Sequence, residues 1–164
     1  MQLECPSDRI SICAAIEMMI YELPVALASA EVEIEADIEA VWKILSSINS
    51  WPDWNADIKS ASLQGEMAPG SVFVWKAGPM TINSRIYEVH RPYALAWTGT
   101  ALGIRADHKW RLERRGKRTW IKTEECWEGL FPRLFRWPVQ RMLQRSINSW
   151  LSYLKREGEG RTGF

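Results

Sequence analysis

The sequence predicts an α+β domain in which a curved antiparallel sheet of about seven strands wraps around a long C-terminal helix, with two short helices after the first strand. Three patterns predict this fold. Between residues 57 and 128, apolar and polar side chains alternate in runs typical of half-buried strands. Short turns containing Gly or Pro separate these runs. From about Pro132 to Arg156, apolar residues instead recur at helical spacing.

An N-terminal extension is expected at residues 1–23, before a domain at 24–158 and a flexible C-terminal tail at 159–164. Ser7-Asp8 is a candidate N-cap for a helix in this extension, and Pro24 ends it. The helix has one apolar stripe: Ile12, Ile16, Met19, Ile20 and Leu23. The alternative is an over-long gene start, because Met18 and Met19 lie just ahead of the domain.

The first elements of the domain follow from local patterns. Val32 and Ile34 alternate with glutamates, which predicts a strand over 25–35. Asp37 is a good N-cap for an amphipathic helix that ends near Asn49. Pro52 then lies in the first turn of a second short helix, where its missing N–H costs nothing.

Six further strands form a meander, and one face of each is expected to point inward. The predicted spans are 57–66, 70–77, 80–90, 93–101, 104–115 and 118–128. The last helix is long enough to cross this sheet, because about 25 residues of helix span about 37 Å and a ten-residue strand spans about 33 Å. Pro138 predicts a kink in that helix, since proline removes a backbone donor.

The fifth and sixth strands of the meander bring a histidine and a carboxylate to one apolar face. If Gly116-Lys117 is a two-residue hairpin turn, His108 faces Glu125 across the two strands. Both side chains are costly to bury among tryptophans unless they pair or meet a ligand. The inner side of this sheet is therefore the predicted functional site.

Several short motifs are distributed along residues 25–157. They are Ala40-Val-Trp-Lys-Ile-Leu45, Trp51-Pro-Asp-Trp54, Gly70-Ser-Val-Phe-Val-Trp75, Arg85-Ile-Tyr-Glu-Val89, Leu95-Ala-Trp97 and His108-Lys-Trp-Arg-Leu112, and the single residues Pro92, Thr119, Glu125 and Gly129 accompany them. With the predicted order of elements, they resemble the START-like superfamily, also called SRPBCC, and within it the polyketide cyclase/dehydrase-like group. The resemblance implies the helix-grip fold. It also implies a cavity between sheet and C-terminal helix that binds a hydrophobic or polycyclic small molecule of polyketide, isoprenoid or lipid type.

The predicted ligand-binding residues are inward-facing strand residues and two positions on the last helix: Phe73, Trp75, Ile82, Ser84, Ile86, Leu95, Trp97, His108, Trp110, Ile121, Thr123, Glu125, Trp127, Phe135 and Met142. Three interpretations of His108 and Glu125 stay open: an acid/base pair for enolisation or aldol cyclisation, an anchor for one ligand oxygen, or a structural pair. The inward tryptophans either stack on a planar ring or simply fill the interior.

Composition narrows the class of protein. A net charge of +1 argues against a nucleic-acid partner. Three widely spaced cysteines (Cys5, Cys13 and Cys126) favour a reduced, cytoplasmic location and show no metal-binding spacing. We therefore expect no metal and no cofactor. No uninterrupted apolar run of about 20 residues is present, so no transmembrane segment is predicted.

The leading hypothesis is a cytoplasmic protein that binds a hydrophobic small molecule. The first alternative is a polyketide cyclase/dehydratase-like enzyme that uses His108 and Glu125. A further alternative is an interaction module with a basic hairpin edge formed by Arg111, Arg114, Arg115, Lys117 and Arg118. Outward-facing Val72, Val74, Tyr87 and Trp120 are expected to be covered by the N-terminal helix or by a second subunit of a homodimer.

Overall fold

A seven-stranded antiparallel sheet and one long helix dominate the structure, a computed structural model that describes residues 26–160. The strands are β1 (Ala26–Ile34), β2 (Ile58–Gln64), β3 (Val72–Ala77), β4 (Met80–His90), β5 (Ala94–Ala101), β6 (Ile104–Arg115) and β7 (Arg118–Gly129). Their order in the sheet is β1-β7-β6-β5-β4-β3-β2, so β2 to β7 form a continuous meander and β1 adds to its end. This confirms the predicted α+β, helix-grip fold.

Two short helices follow β1, as predicted. They are α1 (Ile38–Ser46) and α2 (Trp51–Trp54), joined by a 3₁₀ turn (Ile48–Ser50). The Asp37 carboxylate caps α1 by accepting the Glu39 N–H at 2.9 Å. The Trp51 indole N–H donates to the Leu45 carbonyl at 2.9 Å and so ties the start of α2 to the end of α1.

The C-terminal helix differs from the predicted kinked helix. A short helix α3 (Leu130–Leu134) comes first, and the long helix α4 (Arg136–Gly160) starts after a break at Phe135 (φ −121°, ψ 46°). Pro138 therefore lies in the first turn of α4 instead of kinking a continuous helix. The break has a physical reason: a proline ring clashes with the carbonyl four residues earlier, so the helix restarts just before Pro138.

The end of α4 also lies beyond the predicted boundary. Glu159 and Gly160, which the sequence assigned to the flexible tail, belong to the helix. The Glu159 carboxylate holds this last turn by accepting the Lys155 ammonium at 2.7 Å and the Glu35 N–H at 3.1 Å. The predicted N-terminal helix and the rest of the tail lie outside the described residues, and those predictions stay predictions.

Two hydrophobic clusters lie beneath the sheet and meet under the middle of α4. The larger cluster joins α1, α2 and the inner faces of β3 to β6 to the second half of α4, and Trp51 and Trp150 belong to it. The smaller cluster joins β1 and the ends of β6 and β7 to the first half of α4 through Val139, Leu143 and Ile147. The boundary between them is where the candidate site lies.

The basic hairpin edge is extensively paired with neighbouring carboxylates. Arg114 meets Asp37 at 2.5 Å, and Arg118 meets Glu35 at 2.8 Å. Arg115 meets Glu113 at 3.2 Å and Glu33 at 3.7 Å, and Arg111 meets Glu88 at 3.0 Å. Such exposed pairs contribute little to stability. They do reduce the free positive charge on which the interaction-module hypothesis depends.

Gly158 should be intolerant of a side chain, because α4 approaches β1 closely there. A Cβ at Gly158 would lie 2.9 Å from Cγ2 of Ile34, which is fully buried. We expect Gly158→Ala to lower the free energy of unfolding by about 0.5–2 kcal/mol, because an overpacking cost of about 1–3 kcal/mol exceeds the gain of up to about 1 kcal/mol from the better helix propensity of alanine. Urea denaturation measures this change.

Gly160→Ala is the matched control, because a Cβ at Gly160 meets no atom within 4 Å. We expect this control to leave the free energy of unfolding within about 0.5 kcal/mol of the wild-type value. Equal effects of the two substitutions would show that the approach of Gly158 to Ile34 does not constrain the helix.

Candidate functional site

A small apolar cavity lies between the sheet and α4, at the boundary of the two hydrophobic clusters. Its volume is about 120 Å³. Strands β3 to β7 supply one wall, and Met142, Ser146 and Trp150 of α4 supply the other. Glu125, Ser84 and Ser146 are its polar side chains. The other lining residues are Trp75, Ala77, Met80, Ile82, Trp97, Gly99, Ala101, Ile104, Ala106 and Trp127.

Seven of the predicted ligand-binding residues line this cavity: Trp75, Ile82, Ser84, Trp97, Glu125, Trp127 and Met142. Seven others are buried but belong to the filled interior: Phe73, Ile86, Leu95, His108, Trp110, Ile121 and Thr123. Phe135 is half exposed at the break between α3 and α4. The four inward tryptophans are all buried, and three of them line the cavity.

Small inward residues create the empty space, and the sequence-based prediction did not use this signal. Gly99 and Ala106 are register partners on β5 and β6, and Ala101 follows on the same face. A Cβ at Gly99 would lie only 3.2 Å from Ile82 and Ser84. On α4, Ser146 and Trp150 follow Met142 at spacings of four, so helical periodicity would have found them from Met142.

The hairpin register confirms that His108 faces Glu125. Arg115 pairs with Arg118 around the turn, and the ladder continues to His108 opposite Glu125. The Glu125 carboxylate accepts the Trp127 indole N–H at 2.8 Å. The His108 ring lies between Trp97 and Trp110, with centroids 4.7 Å and 5.2 Å away. Only Glu125 of this pair reaches the cavity wall.

The contacts of His108 favour the tautomer with its proton on Nε2. Nε2 lies 2.8 Å from the Thr123 hydroxyl, and that hydroxyl donates to the Lys109 carbonyl at 3.2 Å. A threonine hydroxyl has one proton, so both contacts are satisfied when the imidazole proton is on Nε2. Nδ1 then carries a lone pair, has no hydrogen-bond partner among residues 26–160, and lies 3.7 Å from a Glu125 oxygen.

Both members of the pair favour their neutral forms. Burial raises the pKa of Glu125 to about 7, although the Trp127 hydrogen bond opposes this shift. Burial lowers the pKa of His108 to about 3. The 3.7 Å separation would suit an ion pair, but desolvation penalises the charge on each group. The arrangement is therefore a neutral imidazole next to a carboxyl group that holds or releases a proton near neutral pH.

The fold and the cavity together define a helix-grip domain with a small internal cavity. The family described as polyketide cyclase / dehydrase and lipid transport matches residues 26–159, and the chain belongs to this family. No curated protein matches the chain.

Solved structures support the same fold. A hypothetical protein from Helicobacter pylori aligns with a TM-score of 0.74 at 17% identity, covering 96% of this chain and 99% of its own. The Zhui aromatase/cyclase from Streptomyces sp. R1128 aligns with a TM-score of 0.73 at 18% identity, covering 83% of this chain and 94% of its own. A START superfamily protein from Mycobacterium smegmatis aligns with a TM-score of 0.66 at 17% identity, covering 82% of this chain and 95% of its own. At these identities the likeness shows the fold alone.

Within residues 26–160, none of the helices combines the length and the apolar character that crossing a membrane requires.

Glu125 and His108 should have opposite effects on the pH dependence of stability. The pKa of Glu125 is raised from 4.5 to about 7. The contribution of Glu125 to the free energy of unfolding is therefore complete below pH 4.5 and declines as the pH rises to 7. Because the pKa of His108 is lowered from 6.5 to about 3, its contribution is lost as the pH falls from 6.5 to 3. Between pH 4.5 and 6.5 the contribution of Glu125 to the free energy of unfolding falls with pH as steeply as that of His108 rises, so the two changes cancel.

The Glu125→Gln substitution removes the fall in the free energy of unfolding that Glu125 causes and leaves the rise that His108 causes. We expect the free energy of unfolding of this variant, relative to wild type, to rise by about 1 kcal/mol per pH unit between pH 4.5 and 6.5. Urea denaturation at several pH values measures this difference. Glu124→Gln, on the outward face beside Glu125, is the control and should follow the wild-type curve. A Glu125→Gln curve parallel to wild type would mean that Glu125 is ionised across this range.

Proposed function

We propose that the protein binds a small hydrophobic molecule that carries an oxygen atom, with its ring in the cavity and its oxygen against Glu125. The single observation that carries this proposal is a buried carboxyl group with a raised pKa on a mostly apolar wall. A protonated carboxyl donates a hydrogen bond to a ligand oxygen, and the apolar wall supplies the affinity for the ring. The membership of the family supports this type of ligand.

Cavity size favours a ligand of about one ring. The volume of about 120 Å³ is far below the roughly 300–1,000 Å³ of most ligand pockets. An engineered cavity of about 150 Å³ binds benzene, so a single ring fits a space of this order. Polyketides, isoprenoids and lipids need more room. They fit only if Met142 moves aside, and this side chain is flexible and 42% exposed.

A second candidate function is acid/base catalysis of the cyclase/dehydratase type. The observation that favours it is the pKa of Glu125 near neutrality, which suits a group that both gives and takes a proton. Nδ1 of His108 lies 3.7 Å from a Glu125 oxygen, and its lone pair can accept a hydrogen bond that orients the protonated carboxyl group after a small movement. The aromatase/cyclase with the same fold supports this candidate only at the level of architecture.

Filling the cavity should abolish binding of a single-ring probe. We expect Ala106→Phe to lower the affinity for p-cresol by about tenfold or more, because the new ring occupies the space that the probe needs. Isothermal titration calorimetry measures the affinity.

Thr100→Phe provides the control for Ala106→Phe. It adds a ring to the exposed face of β5, away from the cavity lining, and p-cresol affinity should not change. Equal p-cresol affinity for Ala106→Phe and wild type would place the binding site outside the cavity.

Two substitutions of Glu125 separate binding from catalysis. The Glu125→Gln amide still donates a hydrogen bond but transfers no proton at neutral pH, whereas Glu125→Leu does neither. We expect p-cresol affinity to fall by about 10- to 100-fold in Glu125→Leu and much less in Glu125→Gln. If the protein is an enzyme, both variants lose turnover of a poly-β-keto substrate. Unchanged p-cresol affinity in Glu125→Leu would remove the anchoring role of Glu125.

A further inference from the structure

An exposed apolar surface, here called the α3 patch, surrounds the break between α3 and α4. Its members are Leu102, Leu130, Phe131, Leu134, Phe135 and Trp137, and they range from 46% to 82% exposed. Leu102 joins the others because the register pairs Ile104 with Gly129, directly before α3. Phe131 and Phe135 contact each other with centroids 5.1 Å apart. Soluble domains rarely leave so many large apolar side chains together in water, so the α3 patch is expected to be covered.

Basic side chains predominate near the α3 patch, because Glu128, just before α3, is paired with Arg105 at 3.4 Å. Residues 130–145 contain four arginines, Arg133, Arg136, Arg141 and Arg145, and no acidic residue. An apolar surface with a basic border fits an occupant that combines an apolar stripe with acidic side chains.

The chain enters the domain beside this patch. Ala26, the first residue of β1, is the register partner of Trp127, three residues before α3. Gln140, in the second turn of α4, bonds both backbone groups of Leu27, at 3.1 Å and 2.6 Å. The residues before Ala26 therefore start next to the α3 patch. The outward-facing Val72 and Val74 lie on β3, five strands from β1 and about 24 Å away.

Residues 1–25 have the composition that the α3 patch requires. They contain four acidic side chains, Glu4, Asp8, Glu17 and Glu22, and one basic side chain, Arg9. The predicted stripe of Ile12, Ile16, Met19, Ile20 and Leu23 matches the apolar character of the patch. A helix over 8–23 would be about 24 Å long, which is enough to cross α3 and the start of α4.

We propose that residues 8–23 dock as a helix on the α3 patch of the same chain. The apolar stripe packs against Phe131, Leu134 and Trp137, and the acidic side chains face the bordering arginines. In this proposal the segment covers the α3 patch and not the outer face of β3, which is the surface expected from the sequence. The inference depends on the patch and the chain path, and it holds whatever the cavity binds.

Hydrogen exchange of the full-length protein tests this docking. Peptides from residues 8–23 should exchange about tenfold or more slowly than their intrinsic rates in the wild type. The double variant Leu134→Asp, Trp137→Asp should return them to intrinsic rates, because it places charge on the patch. Both positions are exposed, so the fold is retained, and unchanged protection of β6 and β7 verifies this.

The matched control is Val72→Asp, Val74→Asp, which charges exposed apolar positions on β3 and should leave residues 8–23 protected. Intrinsic exchange rates in the wild type, or an equal loss of protection in this control, would overturn the proposal. Protection that appears only at concentrations where ultracentrifugation detects a dimer would assign the α3 patch to a second copy. Co-sedimentation with phosphatidylglycerol vesicles while residues 8–23 stay unprotected would assign it to a membrane surface. Either assignment overturns the proposal.

Discussion

The site depends on one constraint: a histidine and a glutamate are buried together in an aromatic interior that stabilises neither charge. The hairpin register places them opposite each other, and burial moves both pKa values toward the neutral forms. The contacts of the imidazole fit this state, because Trp97 and Trp110 pack against the ring and Thr123 accepts its Nε2 proton. The Trp127 N–H donates to the carboxyl group and opposes the raised pKa, but burial has the larger effect. Glu125 alone of the pair reaches the cavity.

The cavity results from a local change in side-chain size rather than from a separate structural element. Large aromatic residues fill the interior beneath α1 and α2, where Trp51 packs against Phe73, Trp97 and Trp150. Toward α3 the inward residues become small, and α4 then spans a gap that its own side chains do not fill. Packing of this kind is rigid on the filled side and adaptable around Met142. The same fold thus provides both a stable core and a place for a ligand.

Much of the fold follows from the sequence, because strand alternation, proline positions and the N-cap at Asp37 are local signals. The facing of His108 and Glu125 follows from the two-residue turn at Gly116. Other features depend on tertiary packing. Alternation identifies Ile121 and Trp127 equally as inward residues, yet only Trp127 lines the cavity. The pairing of Arg114 with Asp37 depends on chain segments that meet only after folding.

The central claim is that Glu125 holds a proton near neutral pH at the cavity wall. A ¹³C NMR titration of the glutamate side-chain carboxyl carbons tests it directly, with Glu125→Gln used to assign the resonance. The account predicts one glutamate that titrates near pH 7, far above the usual glutamate pKa of about 4.3, and whose resonance is missing from the variant. If the assigned Glu125 resonance titrates below about pH 5, the carboxyl group is charged in the folded protein. The neutral-pair account of the site would then be contradicted.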